Sequence, residues 1–104
     1  MNEPRLETLR RLAEDRPKDP RLQFGLAVEL LKKGDTREGA DALRAYLALV
    51  EDEGNGWARL GAALAELGET EEAREAYHRG IDIAAGRGHR ALQEEMEEAL
   101  KDLG

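Results

Sequence analysis

Cysteine is absent from the 104 residues, so the chain holds no disulfide, no thiol nucleophile and no thiolate metal ligand. Aromatic side chains number four, Phe24, Tyr46, Trp57 and Tyr77. β-Branched residues are scarce and no run alternates Val, Ile and Thr with a period of two, which removes the signature of a strand. Apolar runs stop after a few residues, too soon to cross a bilayer, and residues 1–20 lack the apolar centre of a secretory signal. The expected setting is the cytoplasm. Basic side chains are in deficit, 16 Lys and Arg against 23 Asp and Glu for a net charge of −7. That balance speaks against nucleic acid or an anionic membrane as the partner.

What is present is Ala, Leu, Glu and Arg in abundance, all strong helix formers. An all-α fold follows, and the length suits one domain. Charge is uneven: residues 1–37 hold nine basic and seven acidic side chains, residues 38–104 seven and 16. Solvated helix faces account for such a pattern, as does attraction between the unlike ends of two copies.

Gly, Pro and cap residues cut the chain into six helical segments. Pro4 suits a first turn, and Leu6, Leu9, Leu12 and Ala13 form one stripe before Pro17 ends it. Asp19 caps a second helix that starts with Pro20, buries Leu22, Leu26, Ala27 and Leu30, and ends at Gly34. Asp35 or Thr36 caps the third, with Ala40, Leu43, Tyr46, Leu47 and Val50 as its apolar set, and the run Glu51 to Gly56 closes it. The fourth carries Trp57, Leu60, Gly61 and Leu64 and stops at Gly68. Thr70 caps the fifth, whose stripe is Ala73, Ala76, Tyr77, Gly80, Ile81 and Ala84. Gly86-Arg87-Gly88 breaks the chain ahead of a last helix bearing Leu92, Met96, Ala99, Leu100 and Leu103.

Residues 26–43 (LAVELLKKGDTREGADAL) lie over residues 60–77 (LGAALAELGETEEAREAY) at an offset of 34, with Leu26 on Leu60, Leu30 on Leu64 and Gly34 on Gly68. A helical hairpin at this period resembles the tetratricopeptide repeat family. The second copy carries the family motif as Trp57, Leu60, Gly61, Leu64, Gly68, Ala73, Tyr77 and Gly80; Leu64 replaces the usual tyrosine and Ala85 stands where a closing proline is common. The first copy diverges, with Gln23 in the tryptophan slot, Ala27 in the glycine slot, Gly39 in the alanine slot and Leu43 in the aromatic slot. The resemblance implies one domain over residues 1–104, a short right-handed superhelix of stacked antiparallel hairpins. It divides into a half-repeat helix over 1–17, repeats over 20–53 and 54–87, and a capping helix over 88–104.

Little in the sequence carries chemistry. His78 and His89 stand on separate elements with no orienting partner and read as exposed surface residues. GNGWAR (residues 54–59) imitates the start of a dinucleotide loop, but Arg59 fills its last glycine slot and no strand precedes it. No nucleophile elbow, P-loop or zinc spacing occurs, so neither an enzyme nor a bound cofactor or metal is expected. The resemblance implies instead a groove lined by the first helix of each hairpin: Arg21, Phe24, Val28, Leu31 and Lys32 from the first repeat, and Asn55, Ala58, Ala62, Ala65 and Glu66 from the second. Phe24, Val28 and Leu31 recur at helical spacing, apart from the Leu26-Ala27-Leu30 face. Either they stay open for a partner or they fill the core, Phe24 replacing the missing tryptophan. One branch of the family grips chaperone tails with Lys and Asn; here Phe24, Val28 and Arg59 occupy the slots of that clamp's first lysine and two asparagines, which argues against that role. The expected function is a non-catalytic protein-interaction module taking a peptide or helix of another protein, with homo-oligomerisation, a homodimer included, as the alternative.

Overall fold

The computed structural model describes residues 3–104, with side chains from residue 5 onward. Six helices make up the described residues and no strand occurs among them: α1 (Glu3–Asp15), α2 (Pro20–Lys33), α3 (Thr36–Leu49), α4 (Asn55–Glu66), α5 (Thr70–Gly86) and α6 (Arg90–Asp102). None of the described helices is long and apolar enough to cross a membrane. The helices fall into two compact units, one ending at Val50 and one spanning Glu51–Gly104.

In the first unit α2 packs against both α1 and α3. Its start is set by local chemistry. Asp19 adopts extended backbone and its carboxylate accepts from the amides of Arg21 (3.0 Å) and Leu22 (3.4 Å), while Pro20 supplies a first residue that needs no amide partner. The helix stops at Gly34, whose φ of 96° lies in the left-handed region that a side chain would strain. The amide of Asp35 then donates back to the Leu30 carbonyl at 2.9 Å. Two residues separate α2 from α3, which forces an antiparallel hairpin. Leu6, Ala13, Leu26, Ala27, Leu30, Ala40, Ala42 and Leu43 are buried. In the tryptophan slot Gln23 is also buried, and its side-chain amide donates to the Pro17 carbonyl at 3.2 Å. A polar side chain is tolerated there because that bond replaces the one water would make.

The second unit packs α5 against both α4 and α6. Its hairpin turn repeats the first: Gly68 has φ 80° and the Glu69 amide donates to the Leu64 carbonyl at 2.9 Å. Leu60, Ala63, Leu64, Ala73, Ala76, Tyr77, Ala84 and Met96 are buried. Gly61 lets the Tyr77 ring lie flush on α4, since a methyl there would sit 2.7 Å from Cε1 and 2.8 Å from Cδ1 and Cζ. Gly80 does the same for α6: its missing methyl would meet Met96 Sδ at 2.5 Å and Trp57 Cβ at 2.9 Å. Trp57 is half-buried, with the Arg79 guanidinium 5.1 Å over its ring. Leu92, Ala99 and Leu100 of α6, Leu103 just after it, and Ile81 pack around Tyr77, Ala84 and Met96.

Two expected boundaries move, and one left open is decided. Thr70 is the first residue of α5 and not its cap; Glu69 holds the cap position, with no side-chain cap bond, and its amide closes the preceding turn on the Leu64 carbonyl. Asp35, not Thr36, caps α3, also without a side-chain bond. Gly86 stays inside α5, and the break falls at Arg87 to His89, where the His89 amide donates to the Ala84 carbonyl at 2.9 Å.

Candidate partner-binding faces

Side chains three or four residues apart share one face of a helix. On α2, Leu26, Ala27 and Leu30 point inward, and the opposite face carries Arg21, Gly25, Val28 and Lys32. Arg21 and Lys32 are exposed, and Val28 is half-buried. Lys32 Nζ lies 3.8 Å from Glu29, which also meets Arg5 of α1 at 3.4 Å. The Arg21 guanidinium forms no ion pair among the described residues. The outward face of α2 is therefore cationic at both ends, with one aliphatic side chain between.

The two remaining expected residues of α2 lie on its flank toward α3. The Phe24 ring lies 4.9 Å from that of Tyr46, tilted by 54°. Leu31 packs on Gly39, where an added methyl would meet its Cδ2 at 2.8 Å and Cγ at 2.9 Å. Both are half-buried. The stripe thus splits, with Phe24 and Leu31 joining the hairpin and Val28 remaining toward the outside.

On α4 the matching face carries Asn55, Arg59, Ala62 and Glu66. Arg59, Ala62 and Glu66 are exposed and Asn55 is half-buried. Ala58 packs against the Tyr77–Ala84–Met96 cluster, and Ala65 is half-buried. Arg59 belongs with the outward residues although the expected lining passed over it; its place one turn beyond Asn55 is the signal that finds it. Tyr46, too, was not expected beside Phe24, because helical phase within α2 says nothing of what α3 brings across.

The start of α4 is fixed by Asp52. This carboxylate is 5% exposed, and its Oδ1 accepts from the amides of Gly54 (2.8 Å) and Gly56 (2.7 Å). An acid three positions ahead of a helix's first residue satisfies amides that have no carbonyl partner and meets the positive end of the helix dipole. Asp52 was legible only as part of an acidic, glycine-bearing turn.

Electrostatic perturbation lies away from these faces. Arg10 of α1 donates to Glu38 of α3 through Nε (2.9 Å) and Nη2 (2.8 Å). Those bonds hold the Glu38 carboxyl below its ordinary value and push the guanidinium further up. Burial, assisted by Glu95, raises the Tyr77 hydroxyl above its ordinary value of 10.0. His78 and His89 are exposed. No three His, Asp or Glu side chains converge as a metal site among the described residues.

A tetratricopeptide repeat family model matches residues 1–84. A peroxisomal targeting signal receptor of Eremothecium gossypii is 39% identical over 79 residues, 75% of this chain but 14% of that protein's own length. A TPR repeat-containing protein of Pseudomonas aeruginosa is 32% identical over 82 residues, 79% of this chain and 78% of the relative. Hairpins that repeat at 34 residues, the close approach of Tyr77 to Gly61 and these likenesses agree: the chain belongs to the tetratricopeptide repeat family, whose domains mediate protein–protein interaction.

Proposed function

We propose that the chain is a non-catalytic interaction module, one domain over residues 1–104, that binds peptide or helical segments of a partner protein, the outward face of α2 and the outward face of α4 each serving as a docking surface. The observation that carries this reading is the division of labour on each first helix. Inward and flanking positions are taken up by packing, while Arg21, Lys32, Arg59, Ala62 and Glu66 remain exposed. An enzyme would need titratable groups brought together in a recess, and these faces offer separated charges with small or aliphatic side chains between them. That suits an extended or helical ligand held by shape and a few polar contacts. The likeness to a targeting signal receptor supports recognition of a segment of another protein. Faces this small give weak binding, about micromolar if nothing else contributes.

A photo-crosslinking side chain placed at Val28 or at Ala62 tests the reading, with Glu98 on α6 as control. The expected result is adducts to the same partner protein from the first two positions and none from the third, reduced when Arg21→Glu is added. Equal labelling from all three, or none from Val28 and Ala62, would sink it.

The uneven charge supports homo-oligomerisation as the alternative. The second unit holds six basic and 14 acidic side chains, and Glu94, Glu95, Glu97 and Glu98 are exposed on α6. Light scattering across a concentration series separates the two readings, because a strict monomer at high concentration excludes self-assembly.

A further inference from the structure

The three helices of the first unit are not held equally. α2 and α3 form a complete hairpin, whereas α1 is a lone helix laid on α2. Its buried side chains are Leu6 and Ala13, with Leu9 and Leu12 half-buried. A helix of 13 residues is marginal by itself in water, so α1 is helical because it is docked. Polar contacts add to that docking. Arg10 forks onto both oxygens of Glu38 in the first turn of α3, 28 residues along the chain. It also lies 3.6 Å from Glu7 and 3.8 Å from Asp35. Toward α2, Arg5 meets Glu29 at 3.4 Å.

The connection after α1 belongs to α2. Gln23 holds the Pro17 carbonyl from within the buried face, and Asp19 caps α2. Arg16 is where that hold gives way to α1: its amide closes the last turn on the Leu12 carbonyl at 2.9 Å, and its carbonyl accepts from the Asp19 amide at 3.1 Å. A rotation at Arg16 would free α1 and leave residues 17–19 in place.

We propose that α1 is a strap that opens from α2 as one unit, hinged at Arg16, with the Arg10–Glu38 fork as its latch, while α2 and α3 stay paired. A bidentate guanidinium–carboxylate pair is the strong form of an ion pair. Exposed as this one is, with side chains 27% and 46% accessible, it contributes little to global stability. Set against the small docking free energy of one short helix, the same contribution governs how often that helix opens. This inference is independent of the binding reading above.

Native-state hydrogen exchange on the full chain tests it, at neutral pH in about 20 mM salt and again in about 0.5 M, where exposed pairs are screened. Two variants break the latch from either side: Arg10→Gln leaves α3 intact, and Glu38→Gln leaves α1 intact. Arg90→Gln, which removes an ion pair with Glu94 on α6, is the control. In both latch variants the amides of the last two turns of α1 should exchange about three- to tenfold faster, with α2 and α3 unchanged. High salt should accelerate α1 in the parent chain and add little in the variants. Unchanged α1 exchange, or equal acceleration of α1, α2 and α3 in either variant, overturns the proposal.

Discussion

The two hairpins place the small residue of a helix crossing on different helices. In the second, Gly61 of α4 receives Tyr77 of α5. The matching positions of the first, Ala27 and Leu43, are both buried, so a smaller side chain faces a methyl where a ring faces none. One turn on, the trade reverses. Gly39 of α3 receives Leu31 of α2, where the second hairpin has Ala73 and Ala65. A third exchange concerns Gly80, which admits Met96 of α6; its counterpart in the first unit is Tyr46, set against Phe24. At the first of these crossings the two pairs fill roughly equal volume, whereas Gly39 with Leu31 is bulkier than Ala73 with Ala65, so only the Gly61–Tyr77 and Ala27–Leu43 pairs trade volume one for one. The first copy looks degenerate by motif because its glycine has moved to the other helix.

Substitutions that force one hairpin's solution onto the other break this comparison most sharply. Gly80→Ala should cost the most, about 3 kcal/mol after the gain in helix propensity. Its methyl meets Trp57 Cβ, close to the backbone of α4, as well as buried Met96. Chemical denaturation should show the loss, and α6 amides should lose exchange protection before those of α4. Full retention of stability would mean that α6 does not depend on this contact.

Gly61→Ala should cost about 2 kcal/mol, because the Tyr77 ring is buried and has no free end to move aside. Tyr77→Leu recreates the Ala27–Leu43 pair when combined with it. The double variant should be more stable than the sum of the single losses by about 1–2 kcal/mol. Strict additivity would show that the two sites do not compensate one another and that the shared-volume account is wrong.

Features governed by chemistry within a few residues were legible in the sequence. Asp19, Pro20 and Gly34 mark the ends of α2 because cap bonds and a left-handed residue act locally. The 34-residue offset put Gly34 and Gly68 at equivalent turns, and both have positive φ. Thr70 misled because the turn before it already committed residue 69 to a bond with Leu64. At the candidate faces, helical phase separated Arg21, Val28 and Lys32 from the inward side but did not show how far α3 reaches around α2. Phe24 and Leu31 were therefore left between an open groove and the core, and Tyr46 and Gly39 lie against them. Asp52 combined both difficulties, being an acid in a polar turn whose burial depends on packing.

Gly39→Ala should cost less than either change in the second hairpin, about 1 kcal/mol or under. Leu31 is half-buried, so its branched end can shift a few tenths of an ångström toward open space. Leu31→Ala should remove that cost by reproducing the Ala65–Ala73 pair. A loss from Gly39→Ala equal to that from Gly61→Ala would mean that Leu31 is as confined as Tyr77.

The smallest effect separates the hairpins by pH. Burial raises the Tyr77 hydroxyl above 10.0, so the folded state favours its neutral form. The linked stability is fully present below pH 10 and is lost as pH rises through the folded-state value, since the unfolded chain ionises first. Leu43 holds the matching place in the first hairpin and cannot ionise. Denaturation midpoints measured from pH 8 to about 11 should fall in the parent chain more steeply than in Tyr77→Phe, which keeps the ring on Gly61 and removes the proton. Parallel curves would place the alkaline sensitivity elsewhere and leave the ring, not its hydroxyl, as what distinguishes the second crossing.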